Sequence, residues 1–266
     1  MTKNAPAWAA GWIDAHCHLA DPRLDETRAA VLARAAAAGI TGFVQGGVDP
    51  EDWARQRRLA GPGWLLSFGL HPWFVAEADA ARCDQGLHEL EQQIGEAAAL
   101  GELGLDFAPR FARDGFAQQH RVFGAQLQMA QRHRKPLVLH IVRAHGPALE
   151  QLARHGPRWR GIVHAFSGSR EIAREYGRLG LLVSIGPAVL RPGFKKVKAA
   201  LSHIPLDGLV VESDAPDGPP HLPDRATNEP DVLMRVAEVV AAAHDCDAAT
   251  VLQASRTNLL RVFSGD

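Results

Sequence analysis

Short apolar runs rich in β-branched residues recur along the chain, each followed by a turn or by a stretch with helical spacing. Four lie in the first half, at 12–18 (WIDAHCH), 42–48 (GFVQGGV), 64–71 (WLLSFGLH) and 98–106 (AALGELGLD). Four more follow at 136–142 (PLVLHIV), 161–167 (GIVHAFS), 181–187 (LLVSIGP) and 208–214 (GLVVESD). The intervening segments include the Ala-rich 27–38 and the long 116–133. In the latter, Phe116, Phe123, Leu127 and Ala130 recur at spacings of seven, four and three, the stripe that a helix buries against a core. Segments 230–244 and 248–262 are expected to be the last two helices.

Strands that alternate with helices imply parallel βαβ units, and eight such units close into a (β/α)₈ TIM barrel. The 266 residues are close to the roughly 250 typical of that fold. In the fourth run Gly101 and Gly104 weaken the strand signal. Neither a linker nor an internal repeat breaks the pattern, so residues 1–266 are read as one domain.

Composition narrows the class further. With 46% apolar and 22% charged residues, the chain can bury one sizeable core, which excludes extended disorder. Lys and Arg number 29 against 30 Asp and Glu, a formal net charge of −1. A protein that coats nucleic acid is excluded, whereas an enzyme that turns over a polyanion is not. Three cysteines, Cys17, Cys83 and Cys246, form no CxxC pair and fit a reducing compartment. No apolar run approaches the roughly 18 residues of a membrane span. The opening MTKNAPAWAAGW lacks the apolar core of a secretory signal. The expectation is a cytoplasmic protein without membrane contact, monomeric or a small homo-oligomer.

The metal-capable side chains all fall within or at the ends of the expected strands: His16, His18, Glu102, His140, His164 and Asp214. In barrel enzymes the active site lies at the C-terminal ends of the strands. His16 and His18 are two apart, so a strand points both to one face, while Cys17 between them points away as a packed thiol. Glu102 offers two oxygens, enough to bridge two hard cations. His140 and His164 end the fifth and sixth runs, and Asp214 the eighth. Asp214 suits both metal ligation and acceptance of a proton from water. Arg143, just past His140, presents a fork of donors for a phosphate or carboxylate. Asp106 reads as an orienting or loop residue, and Lys195, Lys196 and Lys198 as a solvated helix face or a phosphate contact.

Together the segments DAHCHL, GLHPW, GELGLD, LHIVRA, HAFSGS and VESDAPD resemble the TatD family of metal-dependent deoxyribonucleases in the amidohydrolase superfamily, in family order from about residue 12 to 262. The resemblance implies two divalent ions, such as Zn, Mn or Mg. His16, His18 and Asp214 would hold one, His140 and His164 the other, and Glu102 would bridge them. It also implies that His71 stands near the substrate phosphate and that Asn228-Glu229-Pro230 is structural. Phe107-Ala108-Pro109-Arg110 departs from the family, many of whose members carry Tyr or Trp and a different loop there.

The expected reaction is hydrolysis of phosphodiester bonds in single-stranded DNA or RNA, with Asp214 as general base and His71 and Arg143 binding the phosphate. A first alternative is attack on a carboxyl ester, lactone or amide, including an aminoacyl ester of RNA. Glu102 stands where a carbamylated lysine would bridge in other members of the superfamily, which favours the nuclease-like branch. A second alternative is a non-enzymatic barrel whose metal ligands are vestigial or serve a partner interaction, which failure to bind any divalent metal would favour.

Overall fold

The computed structural model describes residues 11–111, 115–218 and 225–264. The first ten residues, read above for a signal sequence, lie outside the described residues. β1 (Trp12–Cys17), β2 (Ile40–Gln45) and β3 (Trp64–Leu65) form a parallel ladder in that order. β4 (Ser67–Phe68), β5 (Ala99–Asp106), β6 (Leu137–Val142), β7 (Gly161–Val163), β8 (Leu181–Ile185) and β9 (Leu209–Val211) form a second parallel sheet, again in chain order. β3 and β4 are two halves of one pass, parted at Leu66, whose carbonyl instead accepts the Ala98 amide at 2.9 Å. On the far side the Asp214 amide donates to the His16 carbonyl at 2.9 Å and the His18 amide to the Ala215 carbonyl at 2.6 Å. These bonds join the last strand to the first, so eight passes make a (β/α)₈ barrel.

Helices lie between the passes: α1 (Arg28–Ala37), α2 (Pro50–Leu59), α3 (Pro72–Glu77), α4 (Ala80–Gln93), α5 (Phe116–His133), α6 (His145–His155), α7 (Arg170–Arg178) and α8 (Lys195–Leu201), with α9 (Leu233–His244) and α10 (Ala248–Phe263) after β9. Their starts follow capping chemistry. Asp49 accepts the Asp52 amide with Pro50 in the first turn, and Asp247 accepts the Thr250 amide. α5 ends on Arg134 in the left-handed region, φ 52°. Among the described residues no helix is long and apolar enough to cross a membrane.

The barrel interior is layered. Ile13, Ala15, Val44, Leu65, Ala99, Val138, Ile162, Leu182 and Val210 form an apolar plug, with Leu259 and Val262 of α10 packed against it. Two residues further along the same faces come His140 after Val138, His164 after Ile162 and Glu212 after Val210. In β1 and β5 strict alternation would turn His16 and Glu102 away from Ala15 and Ala99. The ladder slips between Asp14 and Cys17 and again between Gly101 and Leu103, and these slips restore both side chains to the polar layer.

Several strands stop earlier than their apolar runs. The run 42–48 pairs over Ile40–Gln45 and then leaves the ladder at Gly46. The run 64–71 keeps only the short β3 and β4, and His71 at its end caps α3. The runs 161–167 and 208–214 end at Val163 and Val211 because the backbone turns left-handed at Ala165 (φ 45°) and Asp214 (φ 56°). Arg143, just beyond β6, is left-handed as well, φ 54°. Non-glycine residues in this region cost about 1–3 kcal/mol each and gather where function requires them. The segment after β9 is held by Asn228, whose amide nitrogen donates to the Ser213 carbonyl at 2.6 Å and the Asp217 carbonyl at 2.9 Å. Glu229 receives the fork of Arg34 at 2.7 and 2.9 Å.

Candidate metal centre

The six side chains singled out as ligands converge at the C-terminal mouth of the barrel, around Glu102. Its Oε1 lies 3.1 Å from His18 Nε2 and 3.4 Å from His16 Nε2. Its Oε2 lies 2.8 Å from His164 Nε2, 3.4 Å from His140 Nδ1 and 3.6 Å from His71 Nε2. The Nε2 atoms of His16 and His18 are 3.2 Å apart, and Asp214 Oδ1 stands 3.7 and 3.8 Å from them. His140 Nδ1 is 2.8 Å from His164 Nε2 and 3.2 Å from His71 Nε2. Ligand bonds of about 2.0–2.2 Å around a tetrahedral ion set neighbouring donors roughly 3.3–3.5 Å apart, so these spacings suit a divalent cation. His71, expected beside a substrate phosphate, has its Nε2 at the edge of the second histidine group.

The donor set itself fits a metal. Both Glu102 oxygens are buried and receive no hydrogen bond among the described residues, although imidazole nitrogens surround them. A buried carboxylate without donors requires cationic neighbours. Burial opposes its charge, but His164, His16 and His71 outweigh it and hold Glu102 well below the usual carboxylate range. Burial likewise opposes charge on His18, yet facing Glu102 and then Asp214 it rises to about 10. His71 goes the other way, down to about 4, through burial and the neighbouring His140. Its Nδ1 accepts the Trp73 amide at 3.0 Å, so the proton of the neutral ring sits on Nε2.

A second ring of residues fixes these rings in place. A Cβ on Gly46 would lie 2.5 Å from His18 Cε1, 2.6 Å from His16 Cε1 and 2.7 Å from Glu102 Oε1, so only glycine leaves room for the cluster. Glu212 Oε1 accepts the Ala165 amide at 2.6 Å and lies 3.8 Å from His164 Nδ1. Asp106 Oδ2 lies 3.4 Å from His140 Nε2 and accepts the Trp73 indole N–H at 2.7 Å. Asp106 is thus an orienting residue. Carboxylates behind ligand histidines fix ring orientation and raise basicity. Gly46, Glu212 and Trp73 were missed as site residues. Glu212 carried a signal, since it follows Val210 by two, the same alternation that sets His164 after Ile162.

Four other expected residues stay outside the cluster. Arg143 is exposed on the rim beyond β6. Lys195, Lys196 and Lys198 are exposed on α8, a solvated face. Cys17 is fully buried, its thiol against the Val44 carbonyl, and takes no part in the metal group.

An α/β barrel with this histidine–carboxylate set defines a metal-dependent hydrolase. The chain belongs to the TatD related DNase family, whose profile matches residues 13–264. It is 31% identical to an uncharacterized metal-dependent hydrolase, YjjV, of Escherichia coli K12, over 95% of this chain and 98% of that one. The crystal structure of YjjV superposes with a TM-score of 0.83 over the same shares of the two chains. The human deoxyribonuclease TATDN3 is 30% identical over 95% of this chain and 94% of its own. The 3'-5' ssDNA/RNA exonuclease TatD of Pectobacterium carotovorum is 31% identical over 94% and 98%.

Proposed function

We propose that the whole chain serves as one catalytic domain that hydrolyses phosphodiester bonds of single-stranded DNA or RNA with two divalent ions. The observation that carries this reading is the placement of Glu102, whose Oε1 faces His18 and His16 and whose Oε2 faces His164 and His140. His16, His18 and Asp214 would hold one ion, His140 and His164 the other, with Glu102 shared. Such ions supply Lewis acidity, lowering the pKa of water and drawing charge from a phosphoryl oxygen.

The protein's own groups supply the rest. The Asp214 side chain is 25% exposed, so it reaches solvent while touching the first histidine pair. Burial raises its carboxyl above the usual range against the pull of His164, His16 and His18, which makes it a better proton acceptor from water. His71, neutral with its proton on Nε2, donates toward charge that builds on the phosphoryl oxygens. Arg143 on the rim meets the phosphate backbone. The likeness to nucleases named for single-stranded and deoxyribonucleic acid supports that substrate class.

The test is a time course with end-labelled single-stranded DNA and RNA, using protein stripped of metal and resupplied with Mg, Mn or Zn. Asp214→Asn is expected to fold normally and to lose most turnover. Wild-type turnover in that variant, or inert metal-loaded protein, overturns the reading, and carboxyl esters and amides become the next substrates.

A further inference from the structure

Beside the second histidine group stands an aromatic side chain that the reaction above does not use. Trp73 is 36% exposed, the only large apolar side chain so exposed among the described residues. Its ring centroid lies 4.7 Å from that of His71 and 5.9 Å from that of His140, roughly perpendicular to both. An indole with an exposed face beside a polar site is placed where a planar group can stack on it.

The indole is held rigidly. Asp106 accepts its N–H at 2.7 Å, and the same Oδ2 accepts from Arg110 Nη2 at 3.2 Å. That bond brings the Arg110 guanidinium over the Trp73 ring, 4.3 Å from the centroid. Arg110 is 55% exposed. Asp106 therefore anchors a stacked cation–aromatic pair on one side and reaches His140 on the other.

We propose that Trp73 and Arg110 form a nucleobase subsite, on which the heterocycle of the nucleotide beside the scissile phosphate stacks. This rests on the phosphodiesterase reading above. Indole and guanidinium planes are the surfaces on which proteins stack unpaired bases, and they do so with little regard to base identity. A fixed, pre-stacked pair loses little freedom on binding. The subsite orients the strand so that its phosphate faces the histidines, and it requires an unpaired base, which excludes duplex ends that do not fray. Arg110 stands in the loop after β5 where this chain departs from many family members, and Trp73 in the first turn of α3, so base handling is expected to be particular to chains that keep both residues.

The experiment measures binding. Metal-reconstituted protein is titrated with deoxyadenosine monophosphate and, separately, with deoxyribose 5-phosphate, which lacks the base. The nucleotide is expected to bind tighter by about tenfold or more, the range of one stacked base. In Trp73→Ala and in Arg110→Ala, each compared at equal metal loading, that ratio falls toward one. Arg110 lies in an exposed loop, so its variant tests the subsite even if the Trp73 variant folds poorly. A ratio of one in the wild-type protein, or a ratio that survives both substitutions, overturns the subsite. Base preference in a protein that cleaves no phosphodiester would keep the subsite and overturn the nuclease reading; cleavage without base preference would do the reverse.

Discussion

Ser213 gives the carboxylate of Asp14 two donors, the amide to Oδ1 at 2.8 Å and the hydroxyl to Oδ2, and the His16 amide adds a third, to Oδ1 at 3.3 Å. Asp14 precedes His16 by two residues and Ser213 immediately precedes Asp214, so this pair clasps the first ligand strand to the last. Both side chains are fully buried. Burial lifts the Asp14 carboxyl to about 8, and the Ser213 bonds resist that rise.

Ser213→Ala leaves the buried carboxyl with one donor fewer at the seam. A buried group deprived of its partner costs about 1–3 kcal/mol. The expected outcome is a lower urea midpoint with an unchanged m-value, together with weaker metal retention. An unchanged midpoint would mean that the clasp contributes nothing to closing the barrel.

Gly46→Ala should separate folding from metal binding. The added methyl would overlap the Cε1 atoms of both His16 and His18 and Glu102 Oε1. Imidazoles can tilt aside, so the barrel is expected to fold with a far-UV spectrum like that of the wild type. Tilted rings no longer share one coordination sphere, and metal affinity is expected to fall by at least about tenfold, as when ligand-orienting partners are removed. Chelator competition measures it.

The layered architecture was legible in the sequence; the geometry of the mouth was not. Periodicity placed α5 over Phe116–His133 because eighteen residues of helical spacing leave little ambiguity. β5 held its predicted span in spite of Gly101 and Gly104, since neighbours on both sides pair with it. The strand ends were overextended at Ser167 and Asp214 because hydropathy does not register left-handed turns. His16 and Glu102 were found by type and spacing, but the ladder slips that turn them inward depend on pairing between strands, which a single run of residues does not encode. Trp73 and Arg110 are 37 positions apart and are brought into contact by the shared acceptor Asp106, so no local motif could have joined them.

Glu212→Gln tests the carboxylate behind His164. The amide oxygen can still accept from the Ala165 N–H, so the local backbone is expected to hold. What disappears is the negative charge 3.8 Å from His164 Nδ1. Loss of such a partner costs about 10–100-fold in metal affinity or activity, and the same range is expected here in a chelator titration. Wild-type affinity in the variant would reduce Glu212 to a support for the Ala165 turn.

His145 provides a pH-dependent prediction away from the ligands. It opens α6 with Nδ1 3.0 Å from the Tyr176 hydroxyl of α7, and its ring packs against Phe166. Burial, with Lys196 of α8 adding to it, lowers its pKa from the usual 6.5 to about 4. Between those values the unfolded chain binds a proton that the folded protein refuses, so stability rises with pH across the window. The contribution is fully present above 6.5 and is lost as pH falls toward 4. A depression of this size corresponds to about 3–4 kcal/mol at most across the window. His145→Gln retains a side-chain partner for Tyr176 and has no proton to gain. Urea midpoints for both proteins at pH 7 and pH 4.5 give a double difference in which the other histidines cancel. The wild type is expected to lose more stability on acidification than the variant; equal losses would show that the native fold already admits a charged His145.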